Sequence, residues 1–316
     1  MFPIIPANSA TASFPENDEG IFGFGTTDTV WTNLTNLVSN AGVVSTDVAG
    51  VGTIRKQLAA CEYGGDKGIF GYGAPGPPSY GATAITNLVS NTGVVATDTT
   101  GVGTIREGPA ACRYDEDKGI FGYGTASSAA ASVSVTNLVS NAGIVASDQA
   151  ATTGTSRTDP AACEYGGDKG IFGFGRTGGG AVAITNLVSN AGVVASDQAA
   201  TTGSTRYRLD ACGYGGDKGI FGFGFLDAGP TTAITNLVSN AGVVATDTVG
   251  VGTARGGLAA TQYGGDKGIF GFGLTGGSHS STAITNLVSN AGVVASDQAA
   301  TTGTVRSQTP GACSFN

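Results

Sequence analysis

Residues 63–73 read YGGDKGIFGYG, and close copies of this stretch recur along the chain. Its central motif, GIFGFG or GIFGYG, begins at Gly20, Gly68, Gly119, Gly170, Gly219 and Gly268. A second motif, TNLVSN, follows each time, beginning at Thr35, Thr86, Thr136, Thr185, Thr235 and Thr285. Self-similarity at a period of about 50 residues indicates a repeat architecture. Residues 14–316 therefore hold six copies of one unit, which we number 1 to 6 by their GIFG motifs.

Each copy has the pattern of four short β-strands. In copy 2 these segments are residues 59–63, 68–73, 85–90 and 94–98. The turns between them contain Gly and Asn, which accept the positive φ that tight hairpins require. Strand-forming residues dominate, and turn signals recur every 8–12 residues. The sequence therefore predicts an all-β fold, a six-bladed β-propeller with four strands in each blade.

Side-chain alternation gives the second strand of each copy two unlike faces. In copy 1, Phe22 and Phe24 should point to one side, and Ile21 and Gly23 to the other. Because stacked sheets lie close together, each aromatic pair is expected to fill the glycine notch of the neighbouring copy.

The two ends of the repeat region are offset by one strand. The chain enters at a second strand and leaves, at residues 312–315, with the sequence Ala-Cys-Ser-Phe of a first strand. An open solenoid would require capping repeats, and none is visible. We therefore expect the last residues to complete the blade that begins at residue 18 and to close the ring.

Composition excludes several classes of protein. A net charge of −8 and an isoelectric point near 4.5 are the opposite of what a nucleic-acid binder requires. No apolar run is long enough to span a membrane, and the start of the chain has no basic region of a secretory signal. A single histidine, His279, makes His-rich metal sites impossible. We expect neither a metal nor a cofactor.

Three sets of side chains recur in the copies and are candidates for chemistry. Cys61, Cys112, Cys163, Cys212 and Cys313 share one first-strand position, which Thr261 occupies in copy 6. We expect them to pack as buried thiols, with a metal-binding thiolate ring as the alternative. Asp66-Lys67 and its counterparts are expected to form turns, with an acidic calcium ring as the alternative. Asp47 and Arg55, with their counterparts, are expected to form ion pairs within or between blades, with carboxylate binding by arginine as the alternative.

The order of motifs resembles a kelch-type propeller repeat: Arg, a small-residue strand, YGGDKGIFGFG, a variable loop and TNLVSN. Two features differ from that pattern. Gly-Phe-Gly replaces the double glycine, and Val or Ile (Val43, Val94, Ile144) replaces the fourth-strand Trp. The unit also looks like repeats of environmental and phage-borne kelch-like proteins. The opening MFPIIPANSA is similar to leaders of tailed-phage virion proteins, which implies a virion component assembled in the host cytoplasm.

The N-terminal segment, residues 1–13, does not repeat. Phe2, Pro3, Ile4 and Ile5 are apolar, and the prolines favour an extended conformation. We expect this arm to anchor the protein to other virion subunits.

Comparison of the six copies separates constant from variable segments. The Gly-Gly-Asp-Lys and Ser-Asn-Ala-Gly hairpins hardly change. The loops between the second and third strands change almost completely: 26–33, 74–84, 125–134, 176–183, 225–233 and 274–283. Alternation of strand direction places the hairpins on one face and the loops on the other. Loops on a rigid scaffold are where recognition resides, although unconstrained drift gives the same pattern. The candidate binding residues in the loops are Trp31, Tyr80, Arg176, Phe225, Asp227 and His279.

These features favour a non-enzymatic virion structural protein, a capsid decoration or a tail-associated adhesin for host attachment. Its variable face would bind a host surface glycan or protein. No asymmetric pair of catalytic carboxylates stands out. The alternatives are a carbohydrate-active propeller enzyme and a cellular protein-interaction scaffold.

Overall fold

A computed structural model describes residues 18–79, 81–126, 131–150, 154–198, 203–227, 229–276, 280–298 and 303–316. These residues form 29 β-strands, β1–β29 in chain order, and no helix. The strands assemble into small antiparallel sheets of two or three strands. The all-β prediction is therefore confirmed. The predicted anchor residues Phe2, Pro3, Ile4 and Ile5 lie outside the described residues.

Each copy contributes one three-stranded sheet, in which the second strand is central. The first strands are β4 (Ala59–Tyr63), β9 (Ala110–Tyr114), β14 (Ala161–Tyr165), β20 (Asp210–Tyr214), β25 (Ala259–Tyr263) and β29 (Gly311–Phe315). The second strands are β1 (Glu19–Gly23), β5 (Lys67–Gly71), β10 (Lys118–Gly122), β15 (Lys169–Gly173), β21 (Lys218–Gly222) and β26 (Lys267–Gly271). The third strands are β2 (Thr35–Val38), β7 (Thr86–Val89), β13 (Thr136–Val139), β18 (Thr185–Val188), β23 (Thr235–Val238) and β28 (Thr285–Val288).

Eleven two-residue strands make up the remaining sheets. They are β3 (Arg55–Lys56), β6 (Ala74–Pro75), β8 (Arg106–Glu107), β11 (Thr125–Ala126), β12 (Ala131–Ser132), β16 (Arg176–Thr177), β17 (Gly180–Ala181), β19 (Arg206–Tyr207), β22 (Phe225–Leu226), β24 (Arg255–Gly256) and β27 (Leu274–Thr275). Most of these sheets join the segment after a repeat arginine to the variable loop of the following copy, as in β3–β6 and β19–β22.

The last strand completes the first sheet. β29 pairs antiparallel with β1, with Cys313 opposite Ile21 and Phe315 opposite Glu19. The same register joins Cys61 to Ile69 in copy 2. The predicted pairing of the chain's end with its beginning is therefore confirmed.

The predicted fourth strand is not a strand. In copy 2 this segment makes only isolated bridges, Val89 with Val95 and Thr86 with Thr99. A side chain replaces part of the backbone hydrogen-bond ladder here. The side-chain amide of Asn87 donates to the backbone carbonyl of Ala96 at 3.0 Å. The equivalent asparagine makes the same bond in each of the other copies.

Neighbouring sheets interlock through glycine, but only the first aromatic of each motif fills the notch. The prediction that both aromatics point to one side is wrong, because Phe22 lies against copy 6 while Phe24, with its positive φ, packs on Phe70 of copy 2. A Cβ on Gly71 would lie 2.7 Å from Cζ of Phe121 in the next copy, so only glycine fits. The equivalent pairs are Gly23 with Phe70, Gly122 with Phe172, Gly173 with Phe221, Gly222 with Phe270 and Gly271 with Phe22. The second aromatic of each motif lies past the strand end with φ of 61–65° and packs edge-on against the same ring. The last of these pairs returns from copy 6 to copy 1.

The cysteines pack in the same manner. Each thiol lies against the first glycine of the next GIFG motif; Cys61 Sγ, for example, would be 2.6 Å from a Cβ on Gly119. All five thiols are free and buried. Burial raises the pKa of Cys61 well above its ordinary value, which keeps the thiol protonated and unreactive.

The repeat arginines are buried connectors. Arg55 is fully buried, lies 4.7 Å from the ring centroid of Phe24, and donates to Asn87 Oδ1 at 2.6 Å. Its Nη1 lies 3.7 Å from Asp98 Oδ1, so the ion pair joins neighbouring copies. Burial lowers the pKa of Arg55 to about 10, which still leaves it charged at neutral pH. All six repeat arginines are fully buried, so they have no accessible surface with which to bind a ligand.

The partner aspartates join the copies through hydrogen bonds. Asp98 accepts bonds from Thr53 N and, at 2.6 Å, from Thr53 Oγ1. Asp47 accepts the equivalent bonds from Thr304, near the chain's end. Of the two predicted arrangements, the structure shows the one between copies: Arg55 lies beside Asp98, and Asp47 lies near Arg306. Burial alone would raise the pKa of Asp98, but the bonds from Thr53 and Asn87 lower it below its usual value.

Candidate functional site

The first strands of the six copies surround a small cavity. Each contacts its neighbours in chain order, and β29 contacts both β25 and β4. The cavity has a volume of about 60 Å³. The first strands carry a position that differs among the copies, between the constant Cys or Thr and the constant aromatic: Glu62, Arg113, Glu164, Gly213, Gln262 and Ser314. Our sequence reasoning missed this set, although alignment of the copies reveals it.

These unlike residues form two hydrogen-bonded groups. Arg113 reaches Glu164 Oε2 through Nε at 2.6 Å and Nη2 at 2.5 Å. Gln262 donates to the other oxygen of Glu164. It passes over Gly213, where a Cβ would lie 1.8 Å from Gln262 Nε2. The carboxylate of Glu164 thus links copies 3, 4 and 6.

The second group joins the last strand to copy 2. Ser314 donates to Glu62 Oε1 through its backbone N at 3.0 Å and its hydroxyl at 2.7 Å. Burial would lower the pKa of Arg113, but the charges of Glu164 and Glu62 outweigh burial and raise it. Arg113 is therefore permanently charged, and both carboxylates are held by partners.

Asp210 is the other unusual residue of the cavity. The other copies have Ala or Gly at this position: Ala59, Ala110, Ala161, Ala259 and Gly311. The Asp210 carboxyl accepts bonds from Ala211 N at 2.9 Å and Ala260 N at 2.7 Å. Burial nevertheless raises its pKa to about 7. Asp210 therefore exchanges a proton near neutral pH.

The cavity is too small for a sugar ring. Ligand pockets for drug-sized molecules measure about 300–1,000 Å³, whereas a cavity of about 60 Å³ holds only a few water molecules. Its acids are already bonded to Arg113, Gln262 and Ser314. The arrangement ties the first strands together.

Beside the cavity, backbone hydrogen bonds run from copy to copy. Gln57 N donates to Gln308 O, Gly108 N to Gln57 O, Asp159 N to Gly108 O, Arg208 N to Asp159 O, Gly257 N to Arg208 O and Thr309 N to Gly257 O. The residues at these positions have φ of 49–61°, a region that is strained for all but glycine. Arg208 also bonds Asp159 Oδ2 at 3.1 Å and Gln308 Oε1 at 3.2 Å. This series sets the spacing of the variable segments around the cavity.

Three predicted loop residues come together between copies 4 and 5. The Arg176 guanidinium lies 5.1 Å from the ring centroid of Tyr207, which stacks on Phe225 with centroids 5.5 Å apart. Asp227 accepts a bond at 2.9 Å from Ala181 N, and Ala181 pairs with Arg176. Arg176 is exposed, while Phe225 is buried and supports Tyr207. We call these four side chains the arginine stack: Arg176, Tyr207, Phe225 and Asp227.

The remaining predicted loop residues lie elsewhere. Trp31 is half-buried, with Lys56 Nζ 4.8 Å from its ring centroid, between copies 1 and 2. Tyr80 and His279 lie outside the described residues. Tyr207 and Lys56, the aromatic and the cation that complete these contacts, belong to the variable segments after the repeat arginines.

No protein-family model and no curated protein matches this sequence. Within the described ranges, no group of three or more His, Cys, Asp or Glu side chains is placed to hold a metal ion. No helix in that part of the chain is long and apolar enough to cross a membrane.

Proposed function

We propose that the chain is a six-bladed kelch-like β-propeller that acts as a non-enzymatic recognition scaffold of a virion. Four sets of contacts support the architecture: the β1–β29 pairing, the glycine–aromatic interlocks, the aspartate–threonine bonds and the bonds beside the cavity. The first set joins the chain's end to its beginning, and each of the other three passes through the six copies in order and returns from copy 6 to copy 1. A ring is the arrangement that satisfies all four.

The rigid mounting of the variable loops is the observation that carries the proposed function. Variable loops pair with the segments after the arginines, and aspartates join adjacent loops. Asp227 holds Ala181 N, and Asp28 accepts a bond at 2.7 Å from Ser281 N. The side chains therefore vary at positions where hydrogen bonds hold the backbone in place, which is the arrangement of a recognition surface.

The exposed cation of the arginine stack is the best-defined contact point. A guanidinium held over an aromatic ring loses little side-chain freedom on binding and can pair with a carboxylate through two N–H groups. A host surface glycan or protein that carries carboxylates fits this chemistry. Many copies on one particle would raise weak single contacts to firm attachment.

A virion location is supported by the resemblance of MFPIIPANSA to phage leaders. Residues 1–13 would then anchor the protein to other virion subunits. Removal of these residues should leave a folded protein that no longer joins the particle; unchanged incorporation would refute the anchor.

A carbohydrate-active enzyme is the competing function. Two features favour it. The pKa of Asp210 is raised, and two further acids, Glu62 and Glu164, line the same cavity. The cavity volume and the bonded state of both glutamates argue against it.

Binding of the purified chain to a glycan array and to host cells tests the proposal. Arg176→Ala should weaken binding at least about tenfold. Trp31→Ala tests the separate loop contact between Trp31 and Lys56. Lys169→Ala, which removes an exposed cation from a turn outside the loops, is the matched control and should bind normally. Equal binding by all variants would overturn the assignment, and turnover of any polysaccharide would favour the enzyme.

A further inference from the structure

The face opposite the variable loops carries two kinds of constant turn. The Gly-Gly-Asp-Lys turns of copies 2, 4, 5 and 6, and the Asp-Glu-Asp-Lys turn of copy 3, contact the Ser-Asn hairpins of the same copies, because hairpin asparagine amides donate to turn aspartates. These pairs are Asn91 with Asp66, Asn141 with Asp117, Asn190 with Asp168, Asn240 with Asp217 and Asn290 with Asp266, at 3.0–3.3 Å. We call this surface the turn face.

Each hairpin of the turn face exposes one branched aliphatic side chain. These are Val43, Val94, Ile144, Val193, Val243 and Val293, with exposed fractions of 64–68%. Single exposed valines are ordinary, but here the same position is apolar six times. Five residues later on the same exposed segment, the copies carry Val48, Thr99, Gln149, Gln198, Thr248 and Gln298.

The contrast between the two positions indicates a constraint on the first. Both are solvent-exposed, and the second position shows that this segment accommodates threonine or glutamine as well as valine. The hairpin packs on the neighbouring copy through glycine instead; Gly42, for example, lies against Tyr263 and Leu287. Packing within the chain therefore leaves these aliphatic side chains unused.

The charges of the turn face favour a second copy as partner. In copies 2 to 6 the turn pairs a lysine with an aspartate, as in Lys169 with Asp168 and Lys218 with Asp217, whereas copy 1 carries Asp18 and Glu19 there. The lysines are about 40% exposed and the aspartates 20–39%. The alternating signs at five of the six turns let lysines of one copy meet aspartates of a second copy after a two-fold rotation.

Periodicity leads to the same partner. An irregular protein surface would contact one or two of the six aliphatic side chains, whereas a second turn face presents six matching ones. We propose that two copies of this chain associate through their turn faces into a back-to-back dimer. The variable loops then face outward on both sides, and the aliphatic side chains are buried between the copies.

Sedimentation velocity of the full chain over a range of concentrations tests this proposal. We expect a species of twice the 31.0 kDa chain mass. Threonine at all six hairpin positions should weaken dimerisation at least about tenfold while it keeps the branched shape. The matched control carries Val30→Thr, Val249→Thr and Val251→Thr, which change exposed valines outside the hairpins, and should dimerise normally.

Hydrogen exchange of the unmodified chain gives a second measurement that does not depend on the variants folding. Amides of residues 189–193 and their counterparts should become more protected as the concentration rises. A chain that is monomeric at about 100 μM, a hairpin variant that dimerises normally, or a control that dissociates equally would overturn the proposal. Hairpin protection that is independent of concentration and lost when residues 1–13 are removed would identify the arm as the occupant instead, and would also overturn it.

Discussion

Phe315→Ala measures how firmly the last strand belongs to the first sheet. Phe315 is fully buried on β29, and a Cβ on Gly93 would lie 2.7 Å from its Cζ. Phe-to-Ala changes at buried sites cost about 3–5 kcal/mol through lost transfer energy and the cavity that remains. Because Phe315 sits within five residues of backbone pairing with β1, the full amount should appear in the free energy of unfolding.

Two further variants calibrate that value. Tyr114→Ala makes the same truncation at the equivalent position inside the chain, where Tyr114 is 4% exposed. Phe315→Tyr installs the residue that the other five copies have, and should cost less than about 1 kcal/mol. Urea unfolding, followed by far-ultraviolet circular dichroism, should give losses for the two alanine variants that agree within about 1 kcal/mol. A loss below about 1 kcal/mol for Phe315→Ala alone would refute the closing role of β29.

Three other perturbations test the packing and the electrostatics. Gly122→Ala would place a Cβ 2.8 Å from an aromatic ring of the next copy and should destabilise the fold by about 1–3 kcal/mol, whereas Gly178→Ala, with nothing within 4 Å, should change stability by less than about 0.5 kcal/mol; thermal melts compare the two. Asp210 has a folded pKa near 7, above its ordinary 3.8, so the native state binds the proton more tightly and stability should fall by up to about 4 kcal/mol as the pH rises from 4 to 8. Asp210→Ala should flatten that slope in urea titrations at both pH values, and an unchanged slope would contradict the assignment. Asp98→Ala removes the acceptor of two bonds from Thr53 and should cost about 1–3 kcal/mol; because the pKa of Asp98 is lowered, the stability that it contributes should be lost as the pH falls below about 4.

Local signals explain why the strands were predictable. The hairpins at 64–67 and 91–93 follow from glycines that have positive φ in the structure, such as Gly64 at 67° and Gly93 at 72°. Period-two alternation placed Phe22 and Gly23 on opposite faces, and the interlock with neighbouring copies followed from size alone. The fourth strand failed because nothing local shows that the Asn87 side chain takes the carbonyl of Ala96.

The cavity residues were harder to find for a different reason. Glu62, Arg113 and Glu164 lie about 50 residues apart in sequence and meet only because their strands converge. Gln262 reaches Glu164 across Gly213, a contact that depends on the missing side chain of a third copy. In the same way, Arg176 and Tyr207 appeared in separate variable segments, and only the pairing of those segments made them one stack.

The sequence by itself determined the repeat, the strand directions and the pairing of the two ends, since these depend on turn residues, alternation and an offset of one strand. Tertiary structure alone decided which aspartate meets which threonine. It also decided that the repeat arginines are buried over aromatic rings, and that the glutamates of the first strands bond to side chains of other first strands. Those contacts join residues of different copies, and their geometry is set by the packing of one sheet against the next. No property of a single segment encodes it.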